Sequence, residues 1–151
     1  MDYESLLSIA DTEGLAIKER PFRTYDGRIK GNNIYLRKGM TTTQKTCVLA
    51  EELGHHHTSV GNIIDMSDTA NRKQERQARM WAYNRLIGLC GIIKAYKAGC
   101  QNRYEIAEYL EVTEECLQEC IECYRDKYGV YTAVDNYVIY FLPNLAVMEK
   151  V

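Results

Sequence analysis

Cys47-Val48-Leu49-Ala50-Glu51-Glu52-Leu53-Gly54-His55-His56-His57 gathers all three histidines of the chain beside two adjacent carboxylates. Residues four apart on a helix share a face, so Glu51 and His55 reach a common point while Glu52 points to its side. Just upstream, Thr41-Thr42-Thr43-Gln44 supplies N-cap hydroxyls ahead of a run of good helix formers, which predicts a helix from about Thr43 to His57. Val48, Leu49, Ala50 and Leu53 give that helix a largely buried side. An imidazole and carboxylates on a buried helix are the raw material of a metal site.

The spacing is close to H-E-x-x-H, in which two histidines bind zinc and the intervening glutamate activates water. Here E-E-L-G-H keeps the glutamate, Glu52, and the second histidine, His55, while Glu51 stands in place of the first. A carboxylate still offers an oxygen to a metal, so the motif is altered rather than erased. Alternatively, Glu51 is a helix carboxylate paired with Lys45 or another base. His56 and His57 read as helix-end residues facing the C-terminal dipole, and Cys47 as a buried thiol.

Outward from this helix, Leu6, Leu7, Ile9 and Ala10 recur at helical spacing between Tyr3 and Thr12, with Gly14 as the stop. Leu15–Arg20, Arg28-Ile29-Lys30 and Ile34-Tyr35-Leu36, the last two joined by Gly31-Asn32-Asn33, predict a small antiparallel sheet. After a loop through Ser59-Val60-Gly61-Asn62, a second strong helix starts at about Asn71, with Glu75 near its beginning and Ala78, Trp81, Ala82, Leu86 and Ile87 on its apolar face. Ile92-Ile93-Lys94-Ala95-Tyr96 makes a shorter piece closed by Gly99. Helices over Arg103–Leu110 and Thr113–Tyr128 and a tyrosine-rich strand segment from Tyr131 to Phe141 complete the chain. The fold class is α+β, mainly helical.

With 151 residues the chain predicts one domain over 1–151, large enough to bury a core without disulfides. Its 19 basic and 21 acidic residues give a net charge of −2, which argues against broad attraction to nucleic acid or anionic membrane. No apolar run reaches the roughly 20 residues that span a bilayer, and the start Met1-Asp2-Tyr3-Glu4 lacks a signal-peptide pattern, so a cytoplasmic location is expected. The six cysteines then read as reduced thiols. Cys116, Cys120 and Cys123 share a helix face as small buried residues rather than as a soft-metal site. The helix-turn-helix outline of Arg103–Tyr128 is unsuited to DNA, because Glu105, Glu108, Glu111, Glu114, Glu115, Glu119 and Glu122 would face phosphate.

Small sheet, E-E-L-G-H-H helix, loop, and a helix bearing Glu75-Arg76-Gln77-Ala78-Arg79-Met80-Trp81-Ala82 together resemble the ImmA/IrrE metallopeptidases of mobile elements and stress regulation. The resemblance runs from Leu15 to about Tyr128. It implies a zincin-like fold and a divalent metal held by Glu51, His55 and Glu75, with Glu75 contributed by the family's E-x-x-A-x-x-x-A pattern. It also implies Glu52 as general base, and an endopeptidase that cuts a helix-turn-helix repressor of a phage or mobile element. Tyr83 and His57 are candidates for stabilising the oxyanion, and the edge of the sheet near Ile34-Tyr35-Leu36 is where a peptide would add.

Family members usually carry histidine where this chain has Glu51. One nitrogen and two carboxylates keep zinc as the foremost ion but make manganese and ferrous iron more competitive, and they leave bound water less acidic. The rival reading is therefore a catalytically weak or inactive regulator that binds a repressor without cutting it.

Overall fold

The computed structural model describes residues 1–58 and 68–151; the loop expected at Ser59-Val60-Gly61-Asn62 lies outside them. The chain divides into two compact units, Met1–Arg85 and Leu86–Val151.

In the first unit, α1 (Tyr3–Thr12) opens on an N-cap in which Asp2 accepts a hydrogen bond from the Ser5 amide at 2.9 Å. Strands β1 (Ala16–Arg20), β2 (Gly27–Lys30) and β3 (Asn33–Arg37) form a sheet of order β1-β3-β2. This sheet is mixed, a correction to the expected antiparallel one: β2 and β3 are antiparallel, but β1 and β3 run parallel. The 21–26 connection reverses the chain once and the Gly31-Asn32 turn reverses it again, so β3 returns in the direction of β1 and slots between the other two. As the most apolar strand it takes the centre, with Ile34 and Leu36 fully buried. The edge expected at Ile34-Tyr35-Leu36 is therefore the middle of the sheet, and the outer strands are β1 and β2.

Strand alternation sorts the two faces. Ile17, Ile34 and Ile29 align across the sheet on the face that carries the buried residues, whereas Lys18, Tyr35 and Arg28 align on the other. Helix α2 (Thr42–Thr58) packs on β2, β3 and α1. It begins with a reciprocal capping box: the Thr41 hydroxyl accepts from the Gln44 amide at 3.1 Å, and the Gln44 side chain accepts from the Thr41 amide at 2.9 Å. Leu49, Ala50 and Leu53 are fully buried, as the sequence pattern requires. Helix α3 (Asp68–Leu86) meets α2 at Gly54, where a Cβ would run into the Ala78 carbonyl.

The second unit contains α4 (Gly88–Lys97), α5 (Arg103–Leu110), α6 (Glu114–Tyr128) and an antiparallel sheet of order β4-β5-β6, with β4 at Tyr131–Val134, β5 at Tyr137–Tyr140 and β6 at Ala146–Glu149. Asn102 and Thr113 cap α5 and α6. Leu117, Tyr124, Ile139 and Phe141 form its centre. Cys116 and Cys120 are buried there and Cys123 is half-buried; burial pushes the Cys120 thiol up, holding it protonated.

Because the contact at Gly54 is with backbone, no rotamer change relieves an added methyl. Gly54→Ala should lower the melting temperature by several degrees, on the scale of about 1–3 kcal/mol for overpacking. Unchanged thermal unfolding would show that α3 does not depend on this approach.

Candidate metal centre

Closeness at Gly54 and Ala78 determines what the two helices can share. His55 follows the glycine on α2, and Glu75 lies three residues before the alanine on α3, so the two side chains converge: His55 Nε2 stands 3.4 Å from Glu75 Oε2. Glu51, one turn before His55, joins them. Donor atoms of Glu51, His55 and Glu75 all lie within 4.8 Å of one another. Two donors each about 2.1 Å from one tetrahedral ion are separated by roughly 3.4 Å. The His55–Glu75 spacing matches that value, and one nitrogen with two carboxylate oxygens is a donor set suited to zinc, manganese or ferrous iron. The three residues therefore fit a divalent ion.

Glu52 projects to the side of this group and packs beneath β2. A Cβ placed on Gly27 would meet Val48 Cγ1 at 2.6 Å and Glu52 Oε1 at 3.2 Å, so glycine is what allows the strand to pass this close to the carboxylate. Burial, and then the negative charges of Glu51 and Glu75, push the Glu52 carboxyl up from 4.5 to about 7. That range suits a group that accepts and returns a proton near neutrality.

Two further features of the site are cationic or aromatic. Arg79, one turn after Glu75, directs its Nε to Glu75 at 3.4 Å and to Glu51 at 3.6 Å. The base that Glu51 meets is thus Arg79 and not Lys45, which pairs with Glu19 at 3.0 Å. Sequence reasoning passed over Arg79, although its i, i+4 spacing from Glu75 was readable. His56 and His57 turn away from the three-residue group. His57 Nε2 contacts Glu13 at 2.6 Å and its ring stacks on Trp81 at 4.6 Å, while His56 approaches the same glutamate at 3.8 Å. The candidate oxyanion partner His57 thus has its Nε2 on Glu13 and its ring against Trp81.

A comparison with protein families matches residues 10–122 to the IrrE N-terminal-like domain, Peptidase M78. The chain belongs to this family, which implies a metallopeptidase with a zincin-like fold and a protein substrate. Comparisons with curated proteins and with solved structures give no match. No helix among the described residues is long and apolar enough to cross a membrane.

The raised Glu52 carboxyl has a consequence for stability. Its proton is held more tightly in the folded chain than in the unfolded one, so folded protein binds more protons between about 4.5 and about 7 and loses stability as pH rises through that window. In chelator-treated protein, the difference in unfolding free energy between Glu52→Gln and wild type should therefore grow with pH across the window, as followed by urea denaturation. A pH-independent difference would place Glu52 in solvent.

Proposed function

We propose that the chain is a metal-dependent endopeptidase that cleaves a helix-turn-helix transcriptional repressor of a phage or mobile element in the cytoplasm. The observation that carries this reading is the convergence of His55, Glu75 and Glu51 beside a buried Glu52, together with membership of a peptidase family. Glu51, His55 and Glu75 would hold the metal. Once bound, the metal supplies a Lewis acid for a water molecule and a peptide carbonyl.

The chain's own groups then divide the work. Glu52, not a ligand, takes the water proton on its carboxylate and returns it to the departing amide nitrogen. Its position against Gly27 puts it directly beside β2, so a substrate segment pairing with the outer edge of that strand passes the proton acceptor. Backbone pairing would hold the segment extended and tolerate varied side chains. Arg79 offsets part of the combined negative charge of Glu51 and Glu75 and so competes with a cation for them.

Arg79 also favours a second reading. A guanidinium between two carboxylates can stand where a metal's charge would otherwise be needed, as in a regulator that binds a repressor without cutting it. Incubation with repressors encoded beside the gene, followed by mass spectrometry, separates the two. Glu52→Gln should reduce cleavage by about 10²-fold or more while metal content persists. Equal cleavage by wild type and Glu52→Gln removes the hydrolytic role of Glu52.

Glu51→His should raise zinc retention and cleavage together, because imidazole replaces a charged oxygen and leaves the ion more positive. If wild type is inactive and Glu51→His binds zinc without gaining activity, the regulator reading is the better one. In titration calorimetry, Arg79→Met should tighten zinc binding about fivefold, the scale of losing the exposed, competing ion pairs with Glu51 and Glu75. Weaker binding in that variant would make Arg79 a support for the ligands and not a competitor.

A further inference from the structure

The face of the first sheet that turns away from α2 is strongly cationic in a chain whose net charge is −2. Arg20, Arg28 and Lys30 are exposed there, and Tyr35 lies between the first two in the sheet, with Arg20 stacked over its ring at 5.5 Å. With Pro21 and Phe22 they line an open groove of about 500 Å³ that contains no carboxylate. Asp26 nearby is committed to Arg37 at 2.8 Å. None of Arg20, Arg28 and Lys30 forms an ion pair among the described residues.

Arg28 and Lys30 belong to β2, the outer strand, and no strand pairs with its other side among the described residues. Alternation along β2 is decisive. Gly27 and Ile29 point to the helix side, where Gly27 touches Glu52, and Arg28 and Lys30 point to the groove. A strand added to this edge puts its own side chains on the same two faces in step. Those opposite Arg28 and Lys30 lie two residues apart on the cationic face, and the one between them lies beside Ile29.

We propose that Arg28 and Lys30 are specificity-determining residues that select an acid–apolar–acid pattern in the extended segment of a protein substrate pairing with β2. This rests on the reading of β2 as the substrate edge of a peptidase site. Opposite charges directly across a strand pair stabilise it, and like charges destabilise it, so the pair of cations both recruits acidic segments and rejects basic ones. Nucleic acid is the less suitable occupant, because the outer edge of β2 repeats a strand's backbone donors and acceptors and the neighbouring Glu52 repels phosphate when ionised.

Fluorescence anisotropy with the full chain carrying Glu52→Gln, which limits turnover, tests this with short fluorescein-labelled peptides identical except for Glu-Val-Glu, Gln-Val-Gln or Lys-Val-Lys at their centre. The Glu peptide should bind about tenfold more tightly than the Lys peptide. Arg28→Glu with Lys30→Glu should invert that order, and Arg28→Gln with Lys30→Gln should flatten it. Both positions are exposed, and circular dichroism checks that the variants fold.

Equal binding of all three peptides, no measurable binding of any, or an unchanged order in the charge-reversed variant overturns the proposal. So does binding of an oligothymidylate, in place of the Glu peptide, that is lost on charge reversal. Failure of the peptidase reading looks different: acid preference without repressor cleavage leaves the selective edge standing, whereas cleavage without acid preference removes it alone.

Discussion

Backbone-to-backbone contact between Gly54 and the Ala78 carbonyl is the constraint on which the first unit depends. A hydrogen in place of a methyl lets α3 approach α2 until side chains on either side of the contact share one small volume. His55 and Glu75 are brought to 3.4 Å because each lies close in sequence to a member of that pair. The apolar residues Leu49, Leu53 and Ala82 hold the helices in the core, but they do not by themselves specify which turn of α3 faces which turn of α2. The small-residue contact sets how closely the two helices approach at this turn.

Within that geometry the charge balance of the site is unusual. Three carboxylates, Glu51, Glu52 and Glu75, influence one another, and the proton on Glu52 and the guanidinium of Arg79 each relieve part of the repulsion. A divalent ion would relieve it further, which links metal binding to the ionisation of Glu52 without any change of fold. A glutamate at position 51, in place of a neutral imidazole, alters more than ligand identity. It moves the whole cluster toward negative charge, which the neighbouring Arg79 offsets in part.

Periodicity and capping made most elements legible before any coordinates. The helix over Tyr3–Thr12 and that over Arg103–Leu110 coincide with the expected spans, and the Thr41–Gln44 box places the start of α2. Strand direction was not legible, because alternation is the same whether β1 runs parallel or antiparallel to β3. The choice came from two chain reversals and from the greater burial of β3. β6, only four residues long, gave too little pattern to stand out. At the site, Glu51, Glu52 and His55 were local to one helix and could be read together, and Glu75 came through resemblance. The partnership of His57 with Glu13 joins segments far apart in the chain and carries no local signal.

Trp81 is the sole tryptophan, and it stacks on His57 of α2 while Arg85 of α3 covers it at 4.9 Å. The indole therefore sits where the two helices of the candidate metal centre meet, close to groups whose charge and distance govern its emission. Tryptophan emission in this chain has a single source, placed at the helix junction by the fold itself. Excitation at the red edge of the spectrum, where the 12 tyrosines do not absorb, gives an optical record of whether α2 and α3 remain docked, with no label added.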